Sequence, residues 1–150
     1  MRSITPISHI DPPKWDEALQ VNVTANYRLI RSLDILLRAS DAGRAVFVSS
    51  GAGHKAIFDP YRAAYSVTKA ALEAAAETAT TSQVKVMVAN PGPLRTKMRA
   101  AVAPGEDPMS LRTPEEFAPK VAMLCAPQWT QTGKLYEFPT DSVKSFQAPA

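Results

Sequence analysis

The sequence has a single cysteine, Cys125, so no disulfide can close within the chain and a zinc centre of clustered thiolates is excluded. The expectation for that thiol is burial and chemical inertness. No apolar run approaches the roughly 20 residues that cross a bilayer, and Pro6, His9, Asp11, Pro12 and Pro13 break the opening stretch, which does not read as a secretory leader. The expectation is a cytoplasmic protein without membrane contact. Excess charge of one sign is also lacking: 17 Lys and Arg against 14 Asp and Glu leave +3, scattered along the chain. That pattern offers no basic stripe for a nucleic-acid backbone. Glycines number only 6, and no internal repeat is present.

What is there suits one α/β domain. The 150 residues, 45% of them apolar, are enough to bury a core. The 13 prolines fall at segment boundaries rather than inside periodic runs. Residues 1–10 read as an irregular lead-in. Asp11-Pro12-Pro13 predicts a helix start, with Asp11 capping free N–H groups and Pro12 where its missing donor costs nothing. Trp15, Ala18, Leu19, Tyr27, Ile30, Leu33 and Leu37 then recur at helical intervals, with a kink or loosening expected at Val21-Asn22-Val23-Thr24. After a turn at Ser40 to Gly43, Ala45 to Val48 predicts a strand apolar on both faces, ending at Ser49-Ser50-Gly51-Ala52-Gly53. His54 to Arg62 reads as an irregular connection turning at Asp59-Pro60, followed by a helix from Tyr61 or Arg62 to between Thr78 and Ser82.

Val84 to Val88 predicts a second strand, stopped by Asn90-Pro91-Gly92-Pro93. Met98 to Leu111 reads as a mobile loop. Thr113-Pro114-Glu115-Glu116 is a capping box opening a helix to about Cys125, and Lys134 to Phe138 predicts a third strand before a frayed tail from Asp141. Helix and strand alternate with short connections, so parallel pairing with right-handed crossovers is the default. Strand ends rich in Ser and Gly are where such sheets bind ligands.

The stretch Tyr65-Ser66-Val67-Thr68-Lys69 carries the most specific chemistry. Four residues are about one helical turn, which puts the phenol and the ammonium on one face. A free phenol ionises near pH ~10, too high for efficient proton exchange at neutrality, and a fixed cation stabilises its phenolate. Such a pair also occurs on ordinary exposed helix faces. Asn90 to Pro93 is by itself simply a turn, Asn22 equally suits a polar residue satisfying a helix kink, and Arg95, Lys97 and Arg99 read as a solvated loop rather than a phosphate site. His9 and His54 have no partner in these motifs.

In company, these stretches resemble the short-chain dehydrogenases/reductases: Asn22 in the first helix, Val48-Ser49-Ser50-Gly51 after a strand, Tyr65-x-x-x-Lys69, and Asn90 to Thr96 after the next strand, in the family's order. The resemblance runs from about Pro13 to Pro139 and implies a partial Rossmann-like, doubly wound parallel sheet of about three strands with flanking helices. By the same resemblance Tyr65 is the acid/base toward a small carbonyl or alcohol substrate. Lys69 lowers its pKa and, with Tyr65, binds the nicotinamide ribose, Ser50 holds the substrate oxygen, and Asn22 anchors a water relay to Lys69. Pro91, Gly92, Leu94 and Thr96 contact the nicotinamide of NAD or NADP. Ser50 is preferred as the second serine; the slightly long spacing to Tyr65 leaves room for Ser49.

The chain also departs from that family. It has no Gly-x-x-x-Gly-x-Gly turn for the dinucleotide pyrophosphate, as if it began just before the family's fourth helix. Weak dinucleotide binding and an unpaired apolar strand edge at Ala45 to Val48 are expected. Tyr65 to Pro91 is shorter than usual by about one helical turn. Two functions compete: a nicotinamide-dependent oxidoreductase, or the catalytic half of one, and a non-catalytic remnant that pairs with another subunit through its long helices and exposed strand edge. The related sugar-nucleotide epimerases share Tyr-x-x-x-Lys but fit the Pro91 to Thr96 segment and short tail less well. The resemblance further implies a homo-oligomer paired through the two long helices.

Overall fold

Three parallel strands and one antiparallel strand form a single sheet in which the strands neighbour one another in chain order, in a computed structural model that describes residues 5–53, 61–79 and 83–145. The lead-in holds one short 3-10 turn, Ile7–His9. Helix α1, Pro12–Leu19, starts where the prolines require, although Asp11 caps it only through its carbonyl, which accepts from the Lys14 and Trp15 amides at 2.9 and 3.1 Å. The expected loosening is a π turn, Gln20–Thr24, that passes into α2, Ala25–Ala39. The wider turn suits the β-branched Val21, Val23 and Thr24, whose side chains crowd a tight helix.

The chain reverses through Ser40 to Gly43 into β1, Arg44–Val48. A Cβ on Gly43 would stand 2.0 Å from the Leu37 carbonyl oxygen, a backbone atom that cannot swing away. Gly43→Ala is therefore expected to cost about 1–3 kcal/mol as an overpacked substitution, read as a lower urea midpoint with unchanged slope. A cost within error would mean that α2 can slide relative to β1.

Helix α3 spans Ala63–Thr78 and β2 spans Lys85–Asn90, parallel to β1 with Val46 opposite Met87. Alternate β2 residues feed the two faces. Val86 and Val88 pack with Ala76, Val84 and Leu135, and with Leu37 of α2. Met87 and Ala89 pack with Phe117 and Leu124 of α5, Pro114–Cys125, and with Tyr136 and Phe138. Burial on both faces is why the strand is continuously apolar. The Thr113–Glu116 capping box is formed in full. Strand β3, Lys134–Glu137, runs parallel to β2. The α/β class and flanking helices are thus as expected.

Several expectations are corrected. Met98 to Leu111 is not simply a loop: α4, Lys97–Val102, is capped by Thr96, and a 3-10 turn covers Pro108–Ser110. The chain from Asp141 to Ser145 is not frayed: β4, Ser142–Ser145, pairs antiparallel with β3. Asp141 adopts a left-handed backbone (φ 47°) at that reversal, accepts from the Tyr136 hydroxyl at 2.5 Å, and pairs with Lys120 at 2.7 Å. Lys120 foremost holds the Asp141 carboxyl below its ordinary value. Cys125 is exposed rather than buried. It follows Leu124, which faces the sheet, and one further residue on a helix turns the side chain about 100° toward solvent. The expected turn at Asp59-Pro60, His54, residues 80–82 at the expected end of the Tyr65 helix, and the last five tail residues lie outside the described residues.

Candidate active site

Because β1 and β2 are parallel, Ser49-Ser50 and Asn90-Pro91 leave the sheet at the same end. The Ser49 amide extends the ladder, donating to Ala89 O at 2.8 Å. Its side chain turns inward, 2% exposed, and its hydroxyl donates to Glu73 of α3. Ser50 is half-buried, and its Oγ accepts from the Ala52 amide at 3.3 Å. The 3-10 turn Gly51–Gly53 is closed by Gly53 N donating to Ser50 O at 2.9 Å.

Helix α3 brings Tyr65 and Lys69 together, with Lys69 Nζ 5.7 Å from the centre of the Tyr65 ring. That ammonium donates to Val48 O at 2.9 Å, tying the helix to the end of β1. Burial holds Lys69 below the ordinary lysine value, and the negative charge of Glu73 pulls it partly back. Asn22, on the π turn, donates from Nδ2 to Thr68 Oγ at 3.0 Å, and Thr68 donates to the Tyr65 carbonyl at 2.9 Å. The Asn22 carbonyl in turn accepts from Asn26 at 2.8 Å. The π turn is therefore fastened to the dyad helix through a hydroxyl that is almost wholly buried.

The second wall follows β2. Asn90 is buried; its amide donates to Glu137 at 2.8 Å and its oxygen accepts from the Gly92 amide at 3.0 Å. Gly92 has φ +66°, and a Cβ there would meet Pro139 at 2.5 Å, so this turn admits only glycine without strain. Leu94 bridges to Arg112 and packs on the core. Thr96 accepts from the Arg99 amide at 3.1 Å, leaving its own O–H to donate. Pro91, Gly92, Leu94 and Thr96 all keep partial exposure. Arg95 is bonded to the Pro108 and Leu111 carbonyls and Arg99 to Glu106 at 2.6 Å, so both guanidiniums are engaged within the chain, while Lys97 and Arg99 lie on α4 rather than on the expected loop. His9 is exposed beside Ser8. Among the described residues no cluster of three His, Cys, Asp or Glu could hold a metal, and no helix is long and apolar enough to cross a membrane.

A cavity of about 400 Å³ lies elsewhere, between α2 and the outer side of β1, and of the candidate residues only Lys69 lines it. Its other charged residues are engaged: Asp34 with Arg38, and Arg44 with the carbonyls of Ala42, Pro127 and Trp129. At the sheet end, by contrast, Ser49-Ser50 and Asn90-Pro91 leave their strands on the side where Lys69 of the Tyr65 helix donates to the Val48 carbonyl.

Sequence reasoning missed Thr68 and Glu73. Both had a signal, since Thr68 is adjacent to Lys69 and Glu73 is one turn beyond it, an acidic residue within an alanine-rich run.

Residues 1–107 match the short chain dehydrogenase family. The uncharacterized oxidoreductase YciK of Escherichia coli K12 is 37% identical over 118 residues, which are 77% of this chain and 46% of that protein. A short chain dehydrogenase from Salmonella enterica serovar Typhi superposes with a TM-score of 0.83 at 34% identity, over 91% of this chain and 58% of that one. One from Escherichia coli CFT073, complexed with NADPH, gives 0.83 at 34% identity over 91% and 57%. One from Shigella flexneri, complexed with NADP, gives 0.82 at 33% over 91% and 58%. The chain thus spans about half the length of the relatives it matches.

Proposed function

The chain belongs to the short chain dehydrogenase family, and on that premise we propose that it carries the proton-transfer centre of a nicotinamide-dependent oxidoreductase acting on a small carbonyl or alcohol. The observation that carries this reading is the half-buried Lys69 ammonium, pinned on the Val48 carbonyl one turn from the Tyr65 ring. In the reducing direction, Tyr65 gives its hydroxyl proton to the carbonyl oxygen as the carbon becomes tetrahedral, and Lys69 stabilises the phenolate that remains. Oxidation reverses the transfer. Ser50, whose hydroxyl hydrogen is not committed by the bond it accepts from Ala52, donates to the same substrate oxygen. Ser49 is the poorer choice because its hydroxyl is already given to Glu73. Asn22 acts through Thr68, holding the helix turn that bears the dyad, and its place at the π turn suits a water relay to Lys69.

The residues present suit a nicotinamide. Lys69 has two N–H groups beyond the one given to Val48, enough for a ribose diol with Tyr65 beside it. Pro91, Gly92 and Leu94 would flank the ring, and the free donor of Thr96 would meet the carboxamide. When bound, the cofactor supplies the hydride in reduction and accepts it in oxidation. The NADP-bound relatives make NADPH the first cofactor to test. The expected result of titrating it into the purified chain is weak, saturable binding: at ten times Kd the fold gains about 1.4 kcal/mol, a melting shift of several degrees. No shift with millimolar NADPH or NADH would overturn independent cofactor binding.

A second reading is favoured by surface. Tyr27, Leu29, Ile35 and Leu36 of α2 and Val67 of α3 are exposed, and no other described strand covers the outer side of β1. Under it the chain works by association, through those helices, with a second copy or another subunit; an inert monomer in sedimentation would count against it.

A further inference from the structure

Glu73 is buried, 8% exposed, where an ionised carboxylate is costly unless it is bonded. It accepts the Ser49 hydroxyl through Oε1. The same oxygen stands 2.7 Å from where a Cβ on Gly53 would lie, and the Lys69 carbonyl carbon stands 3.1 Å from that point. One carboxylate therefore touches both ends of the turn that bears Ser50. It also continues the stripe of Tyr65 and Lys69 by one further helical turn.

We infer that Glu73 is a positioning residue that clamps the Ser49 to Gly53 turn onto α3, setting the Ser50 hydroxyl against the Tyr65–Lys69 pair. The role deepens the reading of Ser50 and Tyr65 given above and rests on it. A carboxylate suits the task better than a neutral group of the same size, since hydrogen bonds to an ionised acceptor are shorter and stronger. Gly53 is part of the device: any side chain there would push the turn off the carboxylate and the helix backbone. The charge has a second effect, attracting the Lys69 ammonium that burial disfavours. The other titratable or charged groups near Lys69 among the described residues are Tyr65 on its own helix and Asp34 and Arg44, which share the cavity wall with it. Asp34 is paired with Arg38, which leaves Glu73 as the counter-charge.

Amide exchange and lysine titration by NMR on the labelled full chain test this without requiring turnover. In Glu73→Leu, and equally in Ser49→Ala, the Ala52 and Gly53 amides should exchange at least about tenfold faster, as for the loss of a hydrogen bond to a charged acceptor, while the β2 amides keep their protection. Glu73→Gln, whose amide oxygen can still accept from Ser49, should restore most of the protection yet lower the Lys69 midpoint. Ser49→Ala should leave that midpoint where it is. Unchanged exchange in both Glu73→Leu and Ser49→Ala would overturn the clamp, as would equal losses in β2 or an unmoved Lys69 midpoint in Glu73→Gln. If Glu73→Leu does not fold, Ser49→Ala and Glu73→Gln decide the matter between them. Absent cofactor binding together with the expected exchange pattern would overturn the oxidoreductase reading alone.

Discussion

Tyr65→Phe is expected to lower kcat for carbonyl reduction by about 10³-fold, within the range for a lost general acid, with cofactor affinity and melting temperature nearly unchanged. The substitution removes one oxygen and little else. The bond that anchors Tyr65 in the helix runs from Thr68 to its main-chain carbonyl, which phenylalanine retains. The ring also keeps its place beside the Lys69 ammonium, 5.7 Å from its centre. Binding and orientation of the two reactants therefore survive, and only the proton donor is gone. A fall in kcat without a rise in KM is the signature of an interaction made in the transition state alone. Stopped-flow measurement of NADPH consumption, with calorimetry to verify the fold, separates the terms. Activity within tenfold of the parent would refute the role given to the phenol.

The parts of this site that could be read from the sequence are those whose cause is local. Ala45 to Val48 reads as a strand because its apolar run is continuous; the structure extends it by Arg44 but leaves it part-buried at the sheet edge, with Val48 exposed. Thr113 to Glu116 reads as a helix start because both halves of the capping box lie within one turn. The π turn follows from adjacent β-branched residues. What escaped depends on distant partners. Ser142 to Ser145 has no strand-like pattern of its own, and β4 is held by Asp141 reaching Tyr136 and Lys120 on other elements. The six-residue α4 is too short to show a helical period, and Thr96 as its cap is ambiguous beside the following Pro104-Gly105 loop. Glu73 meets Ser49 across 24 positions and Asn22 meets Thr68 across 46, pairings that composition and spacing cannot reveal. The Tyr65–Lys69 stripe shows in the sequence; the bonds that steady it do not.

Lys69→Met should have an activity cost as large as that of Tyr65→Phe and, unlike it, a pH-dependent imprint on stability. Methionine nearly matches the lysine stem in length and removes the charge, so the phenolate left after proton transfer loses its nearby cation. A loss of about 10³-fold in kcat is expected on electrostatic grounds, with weaker cofactor binding as well, since the ribose donors go with the ammonium. The stability effect depends on pH, and its sign follows from burial. Lys69 is held below its ordinary value by desolvation, with Glu73 offsetting part of the shift. Between the folded midpoint and the unfolded value of about 10.4, the unfolded chain therefore binds more protons than the folded one, and stability conferred by this group rises with pH. Below that window the charged lysine imposes its full burial cost; above it the cost is gone. Urea unfolding of parent and Lys69→Met across neutral to alkaline pH should show the parent gaining on the variant as pH rises. A difference that is flat with pH, or that moves the other way, would mean that Val48 and Glu73 fully compensate the buried ammonium. The cation would then be held there by structure, with no stability sacrificed to the chemistry it serves.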